Sequence, residues 1–497
     1  MHYKNERRLK NMGMREKALS GMAWKFGERI IAQLVSTGVS ILLARLLMPE
    51  DYGVISIVLI FINIANTFVT TGFGQALVQD NSVGEIEFST LFYCSMIMSV
   101  ALYGIIFFSA PFISAFYDNP LLTPVLRVLG IKMILSGFNT IQQAYVQKNL
   151  MFKKFFFSTL IGTIISAVVG VYGAYSGWGV WALVAQYLIN STCDTVVLFL
   201  TIDWKPKFLF SGKKAKRLIK YSWKLTAAEL VNNCYNEVRS FLIGKVYTTA
   251  DLAFYTKGEQ FPKLITVNVN SSVVSVLFPV ISSVNDNRKM VKSYTRRSVR
   301  ISCYVIIPCM MGLAAISNHL IPWLLTDKWN ACIPYMIIAC ICYATVPINS
   351  ASLQAIKAIG KSDVYLKNET IKKIIGLIAM VAVIKYGVFW VAFVRVPLIF
   401  VEFAINIGAC SKYINYKFTE YIKDMIAPIS LTVIMVGAIY GVDVLFAGGL
   451  GHGLAMLIEI PVGIIVYVIL SKIFKCSSFE YIKDMLFNYI KGGRKVK

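Results

Sequence analysis

The chain has 497 residues, 57% of them hydrophobic and only 15% charged, with a formal net charge of +24 and a mean hydropathy of +0.63. A soluble core needs less apolar sequence than this, and a basic nucleic-acid-binding surface interleaves its Lys and Arg with polar residues. Here the basic residues stand between long apolar runs, so the composition points away from nucleic acid and towards an all-α polytopic membrane protein.

Residues 1–17 are basic and polar, and the apolar segment behind them carries Glu28, Arg29 and Arg45. A cleaved signal peptide needs an uninterrupted apolar region, so this segment is expected to stay as a first span. Stretches of about 20 mostly apolar residues, the length that crosses a bilayer, predict about 14 transmembrane helices. In chain order they cover 22–47, 52–78, 88–117, 121–146, 155–176, 178–202, 218–246, 252–282, 298–318, 333–356, 366–385, 387–411, 426–447 and 453–474. The stretches 218–246 and 252–282 hold many polar residues. After Lys475, residues Phe479, Ile482, Leu486, Tyr489 and Ile490 recur at helical spacing among Lys483, Lys491 and Arg494. That pattern predicts an amphipathic helix on an anionic membrane surface.

Lys and Arg favour the cytoplasmic side, so in a correct set of spans they should concentrate in alternate connections. They do: the N-terminus and the segments 148–154, 205–220, 288–300, 357–373, 412–423 and 472 onward hold roughly 37 of the 50 basic residues, and the intervening connections about 3. Both termini are therefore expected in the cytoplasm. Every connection is short, which leaves no room for a soluble catalytic domain.

Met22-Ala23-Trp24-Lys25-Phe26 corresponds to Tyr221-Ser222-Trp223-Lys224-Leu225, and Asp51-Tyr52-Gly53 falls opposite Asp251-Leu252-Ala253. A repeat of about 200 residues follows. Polar residues at three- and four-residue spacing support it: Arg29, Gln33, Ser36, Thr37 and Ser40 in the first span resemble Glu229, Asn233, Asn236, Glu237 and Ser240 in the seventh. In the second and eighth spans, Asn63, Asn66, Thr67 and Thr70 answer Lys263, Thr266, Asn270 and Ser271. The expected organisation is two parallel-repeat six-helix lobes: an N-lobe over 1–202 and, after a cytoplasmic linker over 203–217, a C-lobe over 218–411. Two further spans over 412–474 and a basic amphipathic tail over 475–497 complete it. Parallel repeats of six spans share one orientation, and substrate sites of such carriers lie near the midplane between the repeats.

Ionisable groups inside a bilayer are costly and are functional candidates by default. Arg29, Lys132, Arg239, Lys257, Lys263 and Arg395, with the polar Gln33 and Asn233, are the residues expected to line a substrate cavity. Glu28, Glu229, Glu237, Glu259 and Glu402 are candidates for ion coupling. Arg45, Lys224 and Glu459 lie near span ends, where snorkelling to the interface explains them. An excess of Lys and Arg in the spans suits an anionic cargo, a phosphate, pyrophosphate or uronate. The ten cysteines form no C-x-x-C pair and read as packing residues, and the histidines, His2, His319 and His452, fall in termini or loops. No catalytic constellation, metal or cofactor is expected, and without a nucleotide-binding motif uphill transport would draw on an ion gradient, the membrane potential or product removal.

The stretch Ala44-Arg45-Leu46-Leu47-Met48-Pro49-Glu50-Asp51-Tyr52-Gly53, followed by Gly72-Phe73-Gly74-Gln75-Ala76-Leu77-Val78-Gln79, resembles the opening of Wzx-type polysaccharide flippases of the multidrug/oligosaccharidyl-lipid/polysaccharide exporter superfamily. Residues 143–152 and 358–363 are similar to later family patterns, so the likeness spans most of the chain. The resemblance implies a cavity opening alternately to either side of a bacterial inner membrane. It also implies a polyprenyl-pyrophosphate-linked oligosaccharide, flipped to the outer leaflet for O-antigen, exopolysaccharide or capsule synthesis, with membrane lipids and a glycan polymerase or export machinery as further partners. The alternatives weighed against it are a cation-coupled multidrug exporter of the same fold, a lipid-linked peptidoglycan precursor flippase and a membrane-bound glycan polymerase or ligase. The excess of buried bases disfavours the first of these, and the short loops disfavour the enzyme.

Overall fold

A computed structural model describes residues 31–79, 83–447 and 451–492, and every regular element among them is helical. In chain order the helices are α1 (Ile31–Leu46), α2 (Pro49–Val69), α3 (Glu85–Phe116), α4 (Leu122–Lys148), α5 (Phe152–Tyr175), α6 (Val180–Thr201), α7 (Gly212–Val246) and α8 (Thr249–Ser282). They continue with α9 (Arg288–Ala315), the short α10 (Ser317–Leu325), α11 (Asp327–Ala358) and α12 (Ser362–Val383). Last come α13 (Val388–Ile414), α14 (Phe418–Val442), α15 (His452–Ile473) and α16 (Ser477–Gly492). Among the described residues eleven segments are long and apolar enough to cross a membrane; the other three predicted spans coincide with α1, described from Ile31 on, and with α7 and α12, whose apolar sequence is broken by charge. Large apolar side chains stand exposed along α3, α14 and α15, as at Phe108, Phe112, Val433, Leu457 and Ile464. Hydrocarbon rather than water is the solvent that accepts such faces.

The helix ends show how local sequence sets the pattern. Two residues join α1 to α2, and two join α7 to α8, two hundred positions later. In both turns an aspartate caps the new helix: Asp51 Oδ2 accepts from the Met48 N–H at 3.2 Å, and Asp251 Oδ2 accepts from the Thr248 N–H at 3.2 Å. Each carboxylate answers orphan donors at the positive end of its helix. The correspondence of Asp51 with Asp251 seen in the sequence is thus a correspondence of roles.

The chain forms two compact units divided between Ala253 and Phe254. In the first, an aromatic core joins Phe88 and Phe92 of α3 and Tyr145 of α4 to Trp204, which follows α6. The connection containing Trp204 is fastened rather than loose: the Lys207 N–H donates to Ser89 Oγ at 3.2 Å and the Ser211 N–H to Thr90 Oγ1 at 3.1 Å. In the second unit, Tyr304 of α9 donates to Ser471 Oγ at 2.9 Å and its carbonyl accepts from Tyr467 at 2.9 Å, which ties α15 to α9. Arg296 and Arg300 of α9 both grip Asp424 of α14, at 2.5 and 2.6 Å. The opening turns of α16 set Phe479 and Ile482 against this core, with Arg297 3.6 Å from the Tyr481 ring.

Candidate functional site

In the first unit, α2 and α7 meet along their polar faces. Asn233 Nδ2 donates to Thr67 Oγ1 at 2.8 Å, and Asn63 Nδ2 to Glu237 Oε1 at 3.4 Å. The spacing that put these residues on one stripe of each helix therefore puts them on one seam. The seam is incompletely satisfied: Asn66 Oδ1 is buried and has no hydrogen-bond partner, and elsewhere on α7 the same holds for Arg239 Nε. Glu229 lies half-buried two turns before Glu237. Gln33 of α1 donates to its neighbour Thr37 at 3.4 Å, whereas Glu28 and Arg29 lie outside the described residues.

At its far end α2 passes into a π-helical turn, Thr70–Gly74, and resumes as Gln75–Gln79. Wider turns of this kind interrupt helices at functional sites more often than elsewhere. The glycines of this stretch permit close packing. A Cβ on Gly72 would stand 3.1 Å from Thr226 Oγ1 of α7, and one on Gly74 3.2 Å from Thr140 Cγ2 of α4. Between this turn and α4 lies a cavity of about 380 Å³ lined by Thr70, Thr71, Gln75, Thr140, Gln143 and Gln147, with Gly74, Val78 and Ala144. Its polar lining is made of hydroxyls and amides, without a formal charge.

Behind Gln143 stands a carboxylate that sequence reading passed over. Asp194 of α6 accepts from Ser158 Oγ and from Asn139 Nδ2, both at 2.6 Å, and from Gln143. Three neutral donors thus hold one half-buried acid, and no salt bridge to Asp194 occurs among the described residues. The visible signal was a single acid within the span 178–202, but its partners stand 36 and 55 positions away. Lys132, also on α4, rests 5.2 Å from the Tyr187 ring, a cation–π contact.

In the second unit the predicted charges fall into separate settings. Arg395, at the head of a helical stretch of α13, pairs with Glu259 of α8 and lies 5.2 Å from the Tyr343 ring. Lys257 is buried, with its ammonium 5.7 Å from the ring of fully buried Trp329. Lys263 is exposed. Glu402 accepts from Asn349 Nδ2 at 3.4 Å, in a chain that runs through Asn406 to Lys372 and Glu369 of α12. Glu459, expected to reach the interface, is buried at 1% exposure.

A sequence model of the family described as "Polysaccharide biosynthesis protein" matches residues 42–334. Among curated relatives, the lipopolysaccharide biosynthesis protein WzxC of Escherichia coli (strain K12) is 21% identical over 66% of this chain and 68% of its own length. The teichuronic acid biosynthesis protein TuaB of Bacillus subtilis (strain 168) is 22% identical over 76% of this chain and 79% of its own. In fold, the chain is similar to the lipid II flippase MurJ in its inward closed conformation, with a TM-score of 0.71 and 17% identity over 92% of this chain and 98% of that one. An inward-facing multidrug resistance MATE family transporter of the MOP superfamily follows at 0.59 and 12% identity, over 78% of this chain and 96% of that one.

Proposed function

We propose that this chain, which belongs to the polysaccharide biosynthesis protein family, is a flippase that carries a lipid-linked oligosaccharide from the inner to the outer leaflet by alternating access. The observation that carries the reading is the cavity between the π-turn and α4, whose polar groups are the hydroxyls and amides of Thr70, Thr71, Gln75, Thr140, Gln143 and Gln147. Such groups exchange hydrogen bonds with the hydroxyls of a sugar and offer no fixed anion to a cationic drug. A lipid-linked cargo also needs an apolar berth. In the second unit a groove of about 440 Å³ runs between α9, α14 and α15 past Val305, Pro308, Leu313, Ile460, Ile464 and Val468. Its chemistry suits an isoprenoid chain.

The finer reading is a bacterial inner-membrane protein of 14 spans, six and six with two more, with both termini cytoplasmic and a polyprenyl pyrophosphate as the lipid carrier. Arg29, Lys132, Arg239, Lys257, Lys263 and Arg395, with Gln33 and Asn233, are proposed as further substrate contacts along the transport path, outside the lining of the π-turn cavity. The unpartnered Arg239 Nε is the best supported of these, since a buried donor without an acceptor is a place for a ligand oxygen. Glu28, Glu229, Glu237, Glu259 and Glu402 are proposed for ion coupling. The carrier makes and breaks no covalent bond.

Depletion tests the whole reading. Cells lacking the protein should accumulate a fully assembled lipid-linked repeat unit on the cytoplasmic leaflet while surface glycan falls. Unchanged glycan and unchanged intermediates, together with raised drug sensitivity, would replace it with the multidrug reading; a block in cell-wall precursor export would favour a peptidoglycan precursor as cargo.

A further inference from the structure

Two of the chain's three histidines lie 133 positions apart in sequence and meet in the second unit. His319 opens α10, Asp443 begins the π-helical turn that closes α14, and Glu459 faces inward two turns into α15. The Nε2 atom of His319 is 2.9 Å from Asp443 Oδ1 and 3.4 Å from Glu459 Oε1. One ligand atom from each of the three residues falls within 4.8 Å of the others. On its far side, His319 Nδ1 is 3.0 Å from His452 Nδ1 at the start of α15.

We propose that His319, Asp443 and Glu459 bind one divalent first-row transition cation of the zinc class, with His452 as the residue that positions His319. Three observations carry this. Ligand atoms at about 2.0–2.1 Å from a tetrahedral zinc stand ~3.3 Å apart, and the two contacts of Nε2 already bracket that edge. The second is Glu459 itself: its side chain is 1% exposed, yet Oε2 has no hydrogen-bond partner, and a buried unpaired carboxylate oxygen needs a cation. Third, the other ring nitrogen of His319 has a partner, 3.0 Å away on His452. An imidazole that ligates through Nε2 carries its hydrogen on Nδ1 and gives it to a neighbouring acceptor, which is where His452 stands.

The donor set also indicates the metal. One imidazole and two carboxylates neutralise a +2 charge, and a nitrogen ligand with only three protein donors disfavours calcium and magnesium. Asp443 and His452 remain partly exposed, so a cation has access from solvent. Bound there, it would tie α10 to both α14 and α15.

The test is metal binding by the full-length protein, purified in detergent on a tag without histidines and stripped with a chelator. Titration with Zn²⁺ against a chromophoric competitor should show one site per chain. Glu459→Gln and the more exposed Asp443→Asn should each weaken it at least ~100-fold, and His452→Ala ~10–100-fold. Co²⁺ should give the visible spectrum of a four- or five-coordinate N/O site. Zinc affinity unchanged in both carboxylate variants, no binding by the unaltered chain, or an intense Co²⁺–thiolate band from the cysteines would each overturn the proposal. Melting of the variants in chelator establishes that a loss of binding is not a loss of fold; if Glu459→Gln fails that control, Asp443→Asn decides.

Discussion

Replacing Glu259 asks whether Arg395 serves the fold or the cargo. The two side chains pair with 21% and 17% of their surfaces exposed. Removing one partner of a fully buried ion pair costs about 3–5 kcal/mol. Here a fifth of each group reaches the surface and recovers part of its solvation, so Glu259→Gln and Arg395→Met should each cost about 2 kcal/mol. The Tyr343 ring, 5.2 Å from the guanidinium, offsets only about 0.5–1 kcal/mol of the loss in the glutamate variant. With both charges gone neither ion is left without its counter-ion, and the double variant should cost about 1 kcal/mol, a coupling of about 2–3 kcal/mol. Denaturant-induced unfolding of the detergent-solubilised protein measures all four corners of the cycle. A coupling below about 0.5 kcal/mol would refute the strut. Export measured on the same variants separates the roles: a strut leaves the double variant active, whereas a cargo contact makes every variant lacking Arg395 inactive while Glu259→Gln still exports.

Gly53→Ala should be among the most damaging small changes, because its Cβ would fall 1.9 Å from the Thr249 carbonyl oxygen, a backbone atom that cannot swing away; a cost above about 2 kcal/mol is expected in thermal unfolding, against little change for Gly38→Ala, which meets nothing within 4 Å. Gly74→Val should close the polar cavity against Thr140 and cut export by more than it lowers stability, about 1–3 kcal/mol, as read by glycan export and melting side by side. Asn233→Ala should lose the 2.8 Å bond to Thr67, about 1 kcal/mol, and unchanged unfolding would remove that bond from the account of the seam. Asp194→Leu should strand the donors of Ser158, Asn139 and Gln143, at about 1–3 kcal/mol each before relaxation, while Asp194→Asn, which keeps the shape, should cost less in the same unfolding assay.

How far the sequence could be read depended on how local each signal was. Span length is a property of contiguous sequence, so the eleven segments of the described residues that are long and apolar enough to cross a membrane were legible directly, and the stretches read as spans at α7 and α12 are helical although charge breaks their apolar sequence. The polar stripes of α2 and α7 were legible as stripes through the 3.6-residue period, but nothing in that period says that Asn233 meets Thr67. Asp194 was missed because its three donors come from two other helices. The meeting of His319 with His452 was missed for the same reason, and loop position made both look inert. Glu459 was misjudged because distance from a span end is a poor guide to burial where another helix covers that end. The pairing of Arg395 with Glu259 joins two residues that the sequence had assigned to different tasks.

The two-residue turn after α1 has a mechanical consequence. A joint of two residues, locked by Asp51 on the following helix, has almost no slack, so α1 and α2 cannot splay without breaking the cap. That pair behaves as a stiff lever. Compliance must then reside where the helical ladder is already interrupted: at Gly130 within α4, at Thr345 within α11, and beside Pro262 and Pro279 of α8. The fold concentrates its bending at such points and keeps the α1–α2 hairpin rigid.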